Sequence, residues 1–402
     1  MNDESERGYL GLAALMRLNF EGQSLQSIAE ELIRRAKADP GNAASMLDLA
    51  IALELNLQPE LARAAQAEAL KTQALYHLPA AGDTSLRLLA LMAPGDISTN
   101  APLDLLLEDS DVSLDLLYVG AGVAPAKELP DHDVMFVAMG ESEATRPLLQ
   151  QLEPVVAAWP RPVINPPRKI LQTSRDEAYA RLHPLPKVAM PAVKRIERAA
   201  LEQVLCGKAA IEGLSIPAFP FIIRPLDSHA GHDLERIGSS ADLRAYLDKV
   251  KKGCFFVSPF VDYKSPDGLY RKYRLALIDG TPFAVHMAIS SHWMIHYLNA
   301  GMRESKEKRA EEARFMENFH ADFAIRHHLA LSGIHEALAL DYLVIDCAET
   351  PSGELLVFEV DTGGVVHALD PPDIFPYKRP AMERIFAAFR ELLSQRARSA
   401  KG

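Results

Sequence analysis

The spacing of apolar and polar positions divides the chain into stretches with different periods. Up to residue 80 the spacing is helical. Ser27-Ile-Ala-Glu30 has the order of a capping box, with Ile28, Leu32, Ile33 and Ala36 on one face and Pro40-Gly41 as the stop. Residues 44–55 and 59–76 predict an antiparallel helical pair joined near Gln58. Its alanine-rich spacing resembles a tetratricopeptide-type hairpin, although no repeat of about 34 residues is present. A helical packing or docking module is expected, with a peptide-binding groove as the alternative.

From Leu86 the period changes. Residues 86–92, 114–119 and 134–139 are short apolar runs bounded by Pro, Gly and Asp, which predicts buried parallel strands. A helix over 144–159 and the strand-like Val163-Ile164-Asn165 complete a small α/β layer. Gly120-Ala-Gly122 lacks the third glycine of a dinucleotide turn, and Pro125 stands where a helix should begin, so it reads as a connecting loop.

Helices are expected over 174–182 and 192–206, followed by an apolar strand, Phe219–Pro225, that carries one charge, Arg224. A lone arginine in such a strand needs an anionic partner, because an unpaired buried charge is strongly unfavourable. The next loop contains Ser228, His229, Ala230 and Gly231, small residues that let backbone amides approach an anion, with His229 as a further donor. Residues 255–261 form another apolar run, and Asp279-Gly280 marks a hairpin between 270–278 and 282–289. Lys272 and Arg274 share a face with Ala276 and Ile278, which implies a phosphate or carboxylate nearby, or else salt bridges to the chain's own acids.

The last hairpin pairs Tyr342–Ile345 with Leu355–Val360 across Pro351, Ser352 and Gly353. Glu359 and Asp361 are two apart and share a strand face, ~7 Å apart along the backbone. Hairpin pairing brings Asp346 beside them. Three converging carboxylates repel unless a cation neutralises them, and oxygen-only ligands suit Mg²⁺. The bland alternative is three solvated acids on an exposed hairpin.

Composition narrows the partners. The chain has 402 residues, enough for two or three domains, with 48% hydrophobic and 24% charged residues, an ordinary globular balance. A net charge of −11 weighs against a nucleic-acid or anionic-membrane surface. The acidic start has no basic n-region, and no run of ~18 apolar residues offers a membrane span. Cys206, Cys254 and Cys347 are scattered and odd in number, which fits a reducing compartment. A soluble cytoplasmic protein is expected.

The order of these pieces resembles the ATP-grasp family over residues 165–369: a strand with a cation, a small-residue loop, a strand ending in an acid, a basic hairpin and the acidic hairpin. The resemblance implies the α/β and α+β fold of D-alanine–D-alanine ligases, glutathione synthetases and ribosomal-protein glutamate ligases. It places a helical module at 1–80, a pre-grasp α/β domain at 81–168 and an ATP-grasp domain at 169–402. Within that domain, 169–262 would hold the nucleotide loop and 263–402 the metal hairpin. The implied activity is an ATP-dependent, ADP-forming carboxylate–amine ligase with ATP and Mg²⁺. Arg224 and Arg274 take catalytic roles on phosphate, and Ser228–Gly231 form the closing loop. Pro259, Phe260 and Val261 read adenine with Asp262 near the ribose, while Lys272 and Arg175 add nucleotide contacts. Asp346, Glu359 and Asp361 match the metal ligands, with Asp346 thirteen positions before Glu359. The chain departs from the family pattern at three points: arginine replaces lysine at 224, aspartate replaces asparagine at 361, and Arg175 stands near the place of a second lysine.

His292 and His296, four apart, have metal-capable helical spacing but lack the zinc-protease glutamate. They are expected instead at the acceptor pocket, with His286 and with Gly363-Gly364, which otherwise form a tight turn. His327-His328 reads as surface, 303–317 as a solvated helix or a lid, and 380–398 as a docked amphipathic helix. Expected partners are small carboxylate and amine substrates or a peptide, with a protein partner at the helical module and a homodimer left open. The alternative functions are a nucleotide-binding scaffold without turnover and a grasp-fold small-molecule kinase.

Overall fold

The computed structural model describes residues 8–39, 41–208, 211–214, 219–228 and 231–399. The chain begins with α1 (Gly11–Phe20), α2 (Leu25–Ala38), α3 (Ala43–Leu55) and α4 (Pro59–Thr72). The cap of α2 is Ser24, which accepts the Ser27 amide; the capping box expected from Ser27 does not form because the helix starts earlier. Pro40, expected as its stop, lies outside the described residues. Asp48 accepts the backbone N–H of Leu10 and Gly11 at 2.9 and 3.0 Å, and Asp104 accepts that of Ala13 at 2.8 Å. Two carboxylates thus satisfy the open amides at the start of α1, and Asp104 ties that helix to the next layer.

The helical pattern ends sooner than expected. Leu75–Leu78 is a strand, β1, because it completes the edge of the following sheet. That sheet contains β2 (Leu86–Met92), β3 (Val112–Tyr118), β4 (Val134–Val137) and β5 (Val163–Ile164), in the order β1-β3-β2-β4-β5. β2, β3, β4 and β5 are parallel, and β1 is antiparallel to β3. Helices α5 (Leu103–Leu106) and α6 (Arg146–Ala157) connect them. The near-continuous apolar runs of β2 and β4 are explained by burial on both faces: Leu88, Leu89, Val134 and Phe136 are fully buried.

After α7 (Pro167–Ile170) and α8 (Arg175–Leu182) come the short β6 (Val188–Ala189), β7 (Lys194–Glu197) and α9 (Arg198–Leu205). Residues 194–197, expected to be helical, are a strand because they pair with residues 254–257. β8 (Phe221–Pro225), β9 (Glu235–Ile237), α10 (Ser240–Lys249) and β10 (Cys254–Pro259) complete a four-stranded sheet ordered β7-β10-β8-β9. One face is apolar: Phe221, Ile223, Phe255 and Val257 pack with Leu201 of α9 and Leu243, Tyr246 and Leu247 of α10. Strand alternation turns Ile222, Arg224, Phe256 and Ser258 to the other face.

The third sheet is built from β11 (Tyr270–Ile278), β12 (Thr281–Ser290), β13 (Tyr342–Glu349) and β14 (Leu355–Asp361), ordered β12-β11-β13-β14-β6. Helices α11 (Lys306–Asn318), α12 (Phe323–Arg326), α13 (His328–Leu338) and α14 (Lys378–Ser399) accompany it. β11 pairs with both β12 and β13, so Arg274 faces His286 on one side and Asp346 on the other. Two expectations of exposure fail here. His327 is buried against Glu349 at 2.8 Å, and Glu312 of α11 is wholly buried, each drawn inward by a polar partner. The chain has the mixed α/β and α+β architecture expected. Among the described residues, no helix is long and apolar enough to cross a membrane.

Candidate active site

The polar face of the four-stranded sheet and the acidic hairpin of the third enclose a cavity of about 310 Å³. Arg175, Arg224, Lys272 and Arg274 line it together with Asp346, Glu359 and Asp361. Residues far apart in sequence meet because of register. β13 and β14 pair so that Asp346 lies opposite Glu359 and Val344 opposite Asp361. An irregularity between Asp346 and Cys347 shifts the ladder at this point, as bulges do where a strand re-aims a side chain.

Asp346 is only 2% exposed, so it is not the solvated hairpin acid of the bland alternative. Lys272 Nζ donates to it at 2.7 Å, and Arg274 forms a two-pronged pair at 2.7 and 3.0 Å. Burial opposes its charged form, but Arg274 and Lys272 outweigh that and hold the carboxyl well below the usual carboxylate range. Glu359 pairs with Arg175, which also donates to the Phe358 carbonyl at 3.2 Å. Here too burial pushes the carboxyl up while Arg175, then Arg224 and Lys272, bring it down to about 2.

Arg224 is different. It donates to Ser228 Oγ at 2.9 Å and to the Ser228 carbonyl, and its Glu359 contact is at 4.0 Å. Burial, reinforced by neighbouring Arg175, pulls its guanidinium down to about 9. This is a cation held short of negative charge.

Asp361 Oδ1 accepts the Gly363 amide at 2.8 Å, so that N–H is engaged within the hairpin end. A Cβ on Gly364 would lie 2.6 Å from Val344 Cβ, which makes glycine obligatory at this close approach. Beyond it, Val365 accepts from Arg274 Nη1 at 3.4 Å. Ser98, from the loop after β2, reaches the same end of the cavity.

Of the other expected residues, Pro259, Phe260, Val261, Gly231, Gly363 and Gly364 line the cavity. Ser228 holds Arg224 from the side; His229 and Ala230 lie outside the described residues. Asp262 is exposed, and its carboxylate accepts the Lys264 amide at 3.2 Å. His286 packs on Tyr297 at 4.7 Å between ring centres, away from the cavity wall. Burial, then Arg274 and Lys378, keep its imidazole far below its ordinary value. His292 is exposed, and residues 292–296 are not helical, so the two histidines lack the geometry their spacing suggested. His296 alone of the pair lines the cavity, with Trp293, Met294 and Ile295. Sequence reasoning missed Ser258 and Phe256, which the register of β8 with β10 places on the face of Arg224. Ser98 and Tyr263 had no such signal.

Among the described residues, no three His, Cys, Asp or Glu side chains form a ready metal cage. The reason is local: cations hold Asp346 and Glu359, and the Gly363 amide holds Asp361.

The sequence matches no protein-family model and no curated protein sequence. Solved structures do align with it. The D-alanine–D-alanine ligase of Bacillus anthracis complexed with ATP is 12% identical, over 79% of this chain and 99% of that one, with a TM-score of 0.47. The D-Ala:D-Ser ligase of Enterococcus faecalis is 14% identical over 78% of this chain and all of its own, with a TM-score of 0.46. A RimK-domain ATP-grasp protein of Sphaerobacter thermophilus is 13% identical over 76% of this chain and 99% of that one, with a TM-score of 0.42.

Proposed function

We propose that this chain is an ATP-dependent, ADP-forming carboxylate–amine ligase of the ATP-grasp type. The observation that carries the reading is Arg224, a buried cation short of counter-charge in a cavity where three more cations converge. A polyphosphate supplies the missing charge, because guanidinium groups bind phosphate through paired donors. The two sheets would grip the nucleotide, with phosphates at Arg224, Arg175, Lys272 and Arg274 and the base towards Pro259–Val261. We assign residues 1–80 to a helical packing module, 81–168 to the pre-grasp layer and 169–402 to the grasp.

The oxygen-only set of Asp346, Glu359 and Asp361 fits Mg²⁺ once Lys272, Arg274 and Arg175 turn towards phosphate. The ion when bound would neutralise phosphate charge. The chain's own contribution is positioning and charge, which phosphoryl transfer chiefly needs. A substrate carboxylate oxygen attacks the γ-phosphorus, the bond to the β-phosphate oxygen breaks, and ADP leaves. An amine then forms the C–N bond, phosphate departs with the C–O electron pair, and the nitrogen loses its proton. Arg274, which bonds Asp346 and the Val365 carbonyl in the ligand-free protein, would turn from Asp346 to hold the transferring phosphate and the acyl oxygens. Substrates would be small acids, amino acids or peptides, and the protein would act in the cytoplasm.

The pairing of Asp346 and Glu359 with internal cations favours a second reading, a scaffold that holds nucleotide without metal or turnover. Thermal stabilisation by AMP-PNP with and without Mg²⁺ separates the two, followed by a screen for ADP release from acid and amine together. Mg²⁺-dependent stabilisation with ADP release supports the ligase, and metal-independent stabilisation alone supports the scaffold. No stabilisation by any nucleotide removes both.

A further inference from the structure

Two segments at the Asp361 end of the cavity are held by the helical module, although no described residue of that module lines the cavity. The first segment is the loop after β2. Gln66 of α4 grips its start with both ends of the side-chain amide: Nε2 donates to the Gly95 carbonyl and Oε1 accepts the Gly95 N–H, each at 2.8 Å. Asn100 grips the other end in the same way, donating to the Ala93 carbonyl at 2.9 Å and accepting the Ala93 N–H at 2.8 Å. Between the two clamps, Asp96 Oδ1 accepts the backbone N–H and the hydroxyl of Ser98 at 2.9 and 2.6 Å. Ser98 is the residue of this loop that lines the cavity.

The second segment follows Asp361. Its Val365 belongs to one apolar cluster with Leu12, Ala13 and Met16 of α1 and Leu105 of α5, and the His367 ring lies 6.1 Å from that of Phe20 in α1. The two segments also meet each other. A Cβ on Gly363 would lie 3.5 Å from the Ser98 carbonyl oxygen and 3.7 Å from the Ala101 nitrogen. A shift of the loop after β2 therefore presses on the Gly363 backbone, and so on Asp361, whose Oδ1 accepts the Gly363 N–H at 2.8 Å. Water ordinarily satisfies the backbone groups of a surface loop. A long side chain from another layer of the fold, giving up its rotamer freedom to hold one loop residue, fixes where that loop stands.

We propose that Gln66 is a positioning residue through which the helical module sets the shape of the cavity at Asp361, an inference that rests on reading this cavity as the ligase site. The phosphates and the base are assigned to residues of β8 and β10 and to the strand end at Pro259–Val261. The module acts instead on the part of the site left for the acid, beside Arg274 and the Val365 carbonyl. Residues 1–80 then form an outer wall of the active site, joined to it by one side-chain amide and one apolar cluster.

The test is hydrogen exchange by mass spectrometry on wild type and Gln66→Met, which keeps the length of the side chain and removes both hydrogen bonds. Exchange over 93–101 should rise, because the Gly95 amide loses its acceptor. The decisive readout is the Gly363 amide, in the peptide 361–369, whose acceptor is Asp361 and not Gln66. Its exchange should rise roughly tenfold while the urea midpoint holds. AMP-PNP and inorganic tripolyphosphate, which has the phosphates and no base, should bind both proteins within about twofold by calorimetry. A rise confined to 93–101, or no rise at all, overturns the proposal, because Gln66 then only ties a loop. A rise throughout the chain with a lower urea midpoint overturns it as well, since the role is then general stability. So does a loss of AMP-PNP affinity in the variant, which would place the effect on the nucleotide. A wild type that binds neither probe overturns the nucleotide reading and leaves the exchange comparison standing.

Discussion

Two clusters in this protein combine a buried carboxylate with cations, and they differ in what is left over. At Glu312 nothing is. Its carboxylate accepts the Met287 amide at 3.1 Å and the hydroxyls of Tyr297 and Tyr377 at 3.0 and 2.6 Å, with Lys378 Nζ at 3.8 Å. Lys378 in turn sits over the Tyr297 ring at 3.9 Å and pairs with Asp370 at 3.2 Å. In the cavity, by contrast, three carboxylates and four cations meet, and one of those cations, Arg224, has no carboxylate closer than 4.0 Å among the described residues. A saturated cluster fixes a fold; one with spare charge facing a cavity waits for a ligand.

The sharpest way to break this contrast is Glu312→Leu. It leaves two tyrosine hydroxyls and a backbone amide without an acceptor and should destabilise by about 3–5 kcal/mol. Urea unfolding measures it, and a change below 1 kcal/mol on the order expected for surface pairs would mean the cluster is no more structural than those. Nucleotide binding by the folded fraction should be unaffected.

Glu359→Gln should have the opposite profile. Ligand-free stability should fall less than in the Glu312 variant, while Mg²⁺-dependent stabilisation by AMP-PNP disappears. In wild type that stabilisation is expected to be about 2.7 kcal/mol at roughly 100 times the dissociation constant. Retention of the full shift in the variant would remove Glu359 from the metal and nucleotide site.

Arg224→Met goes further, because the two properties should move in opposite directions. Removing a mostly buried cation whose one carboxylate contact is at 4.0 Å should raise ligand-free stability by about 1 kcal/mol. Affinity for AMP-PNP and for tripolyphosphate should fall together. A variant that is both less stable and an undiminished binder would show that Arg224 is a structural ion.

The contrast between the clusters also explains what could be read from sequence. Arg224, Lys272, Arg274 and the acidic trio were legible because each interrupts an apolar strand, where a charge stands out against period-two alternation. Their mutual pairing was not, because it depends on β11 lying between β12 and β13, a long-range register. Glu312 was illegible for the opposite reason. It sits in the charged helix segment KEKRAEEARFMEN, and the sequence around it reads as a solvated face. Only packing against Tyr297, Tyr377 and Lys378 reveals the burial. The β1 strand was hidden because Leu75–Leu78 continues an alanine-rich helical pattern, and its state is decided by the edge of β3. His292 and His296 show the converse error: spacing with meaning on a helix has none in an irregular segment.

The smallest effect comes from the far end of β13, three residues beyond Asp346. Glu349 accepts from His327 Nε2 at 2.8 Å, from Tyr273 Oη at 3.2 Å and from Arg326, and it does not line the cavity that holds Asp346. Burial pushes its carboxyl up, but the bonds from His327 and Arg326 more than offset that and hold it at about 2, against an ordinary value of 4.5. A carboxyl depressed on folding favours the folded state above its unfolded value and loses that contribution as pH falls towards its folded one. The stability gap between wild type and Glu349→Gln, from urea titrations, should therefore be widest near neutral pH and close as pH falls from 4.5 to about 2. AMP-PNP affinity at neutral pH should be the same in both proteins. A gap independent of pH would mean that Glu349 acts by shape and not by charge. A loss of nucleotide affinity would mean that charge on β13 is shared along the strand, and the line drawn here between saturated and waiting clusters would not hold.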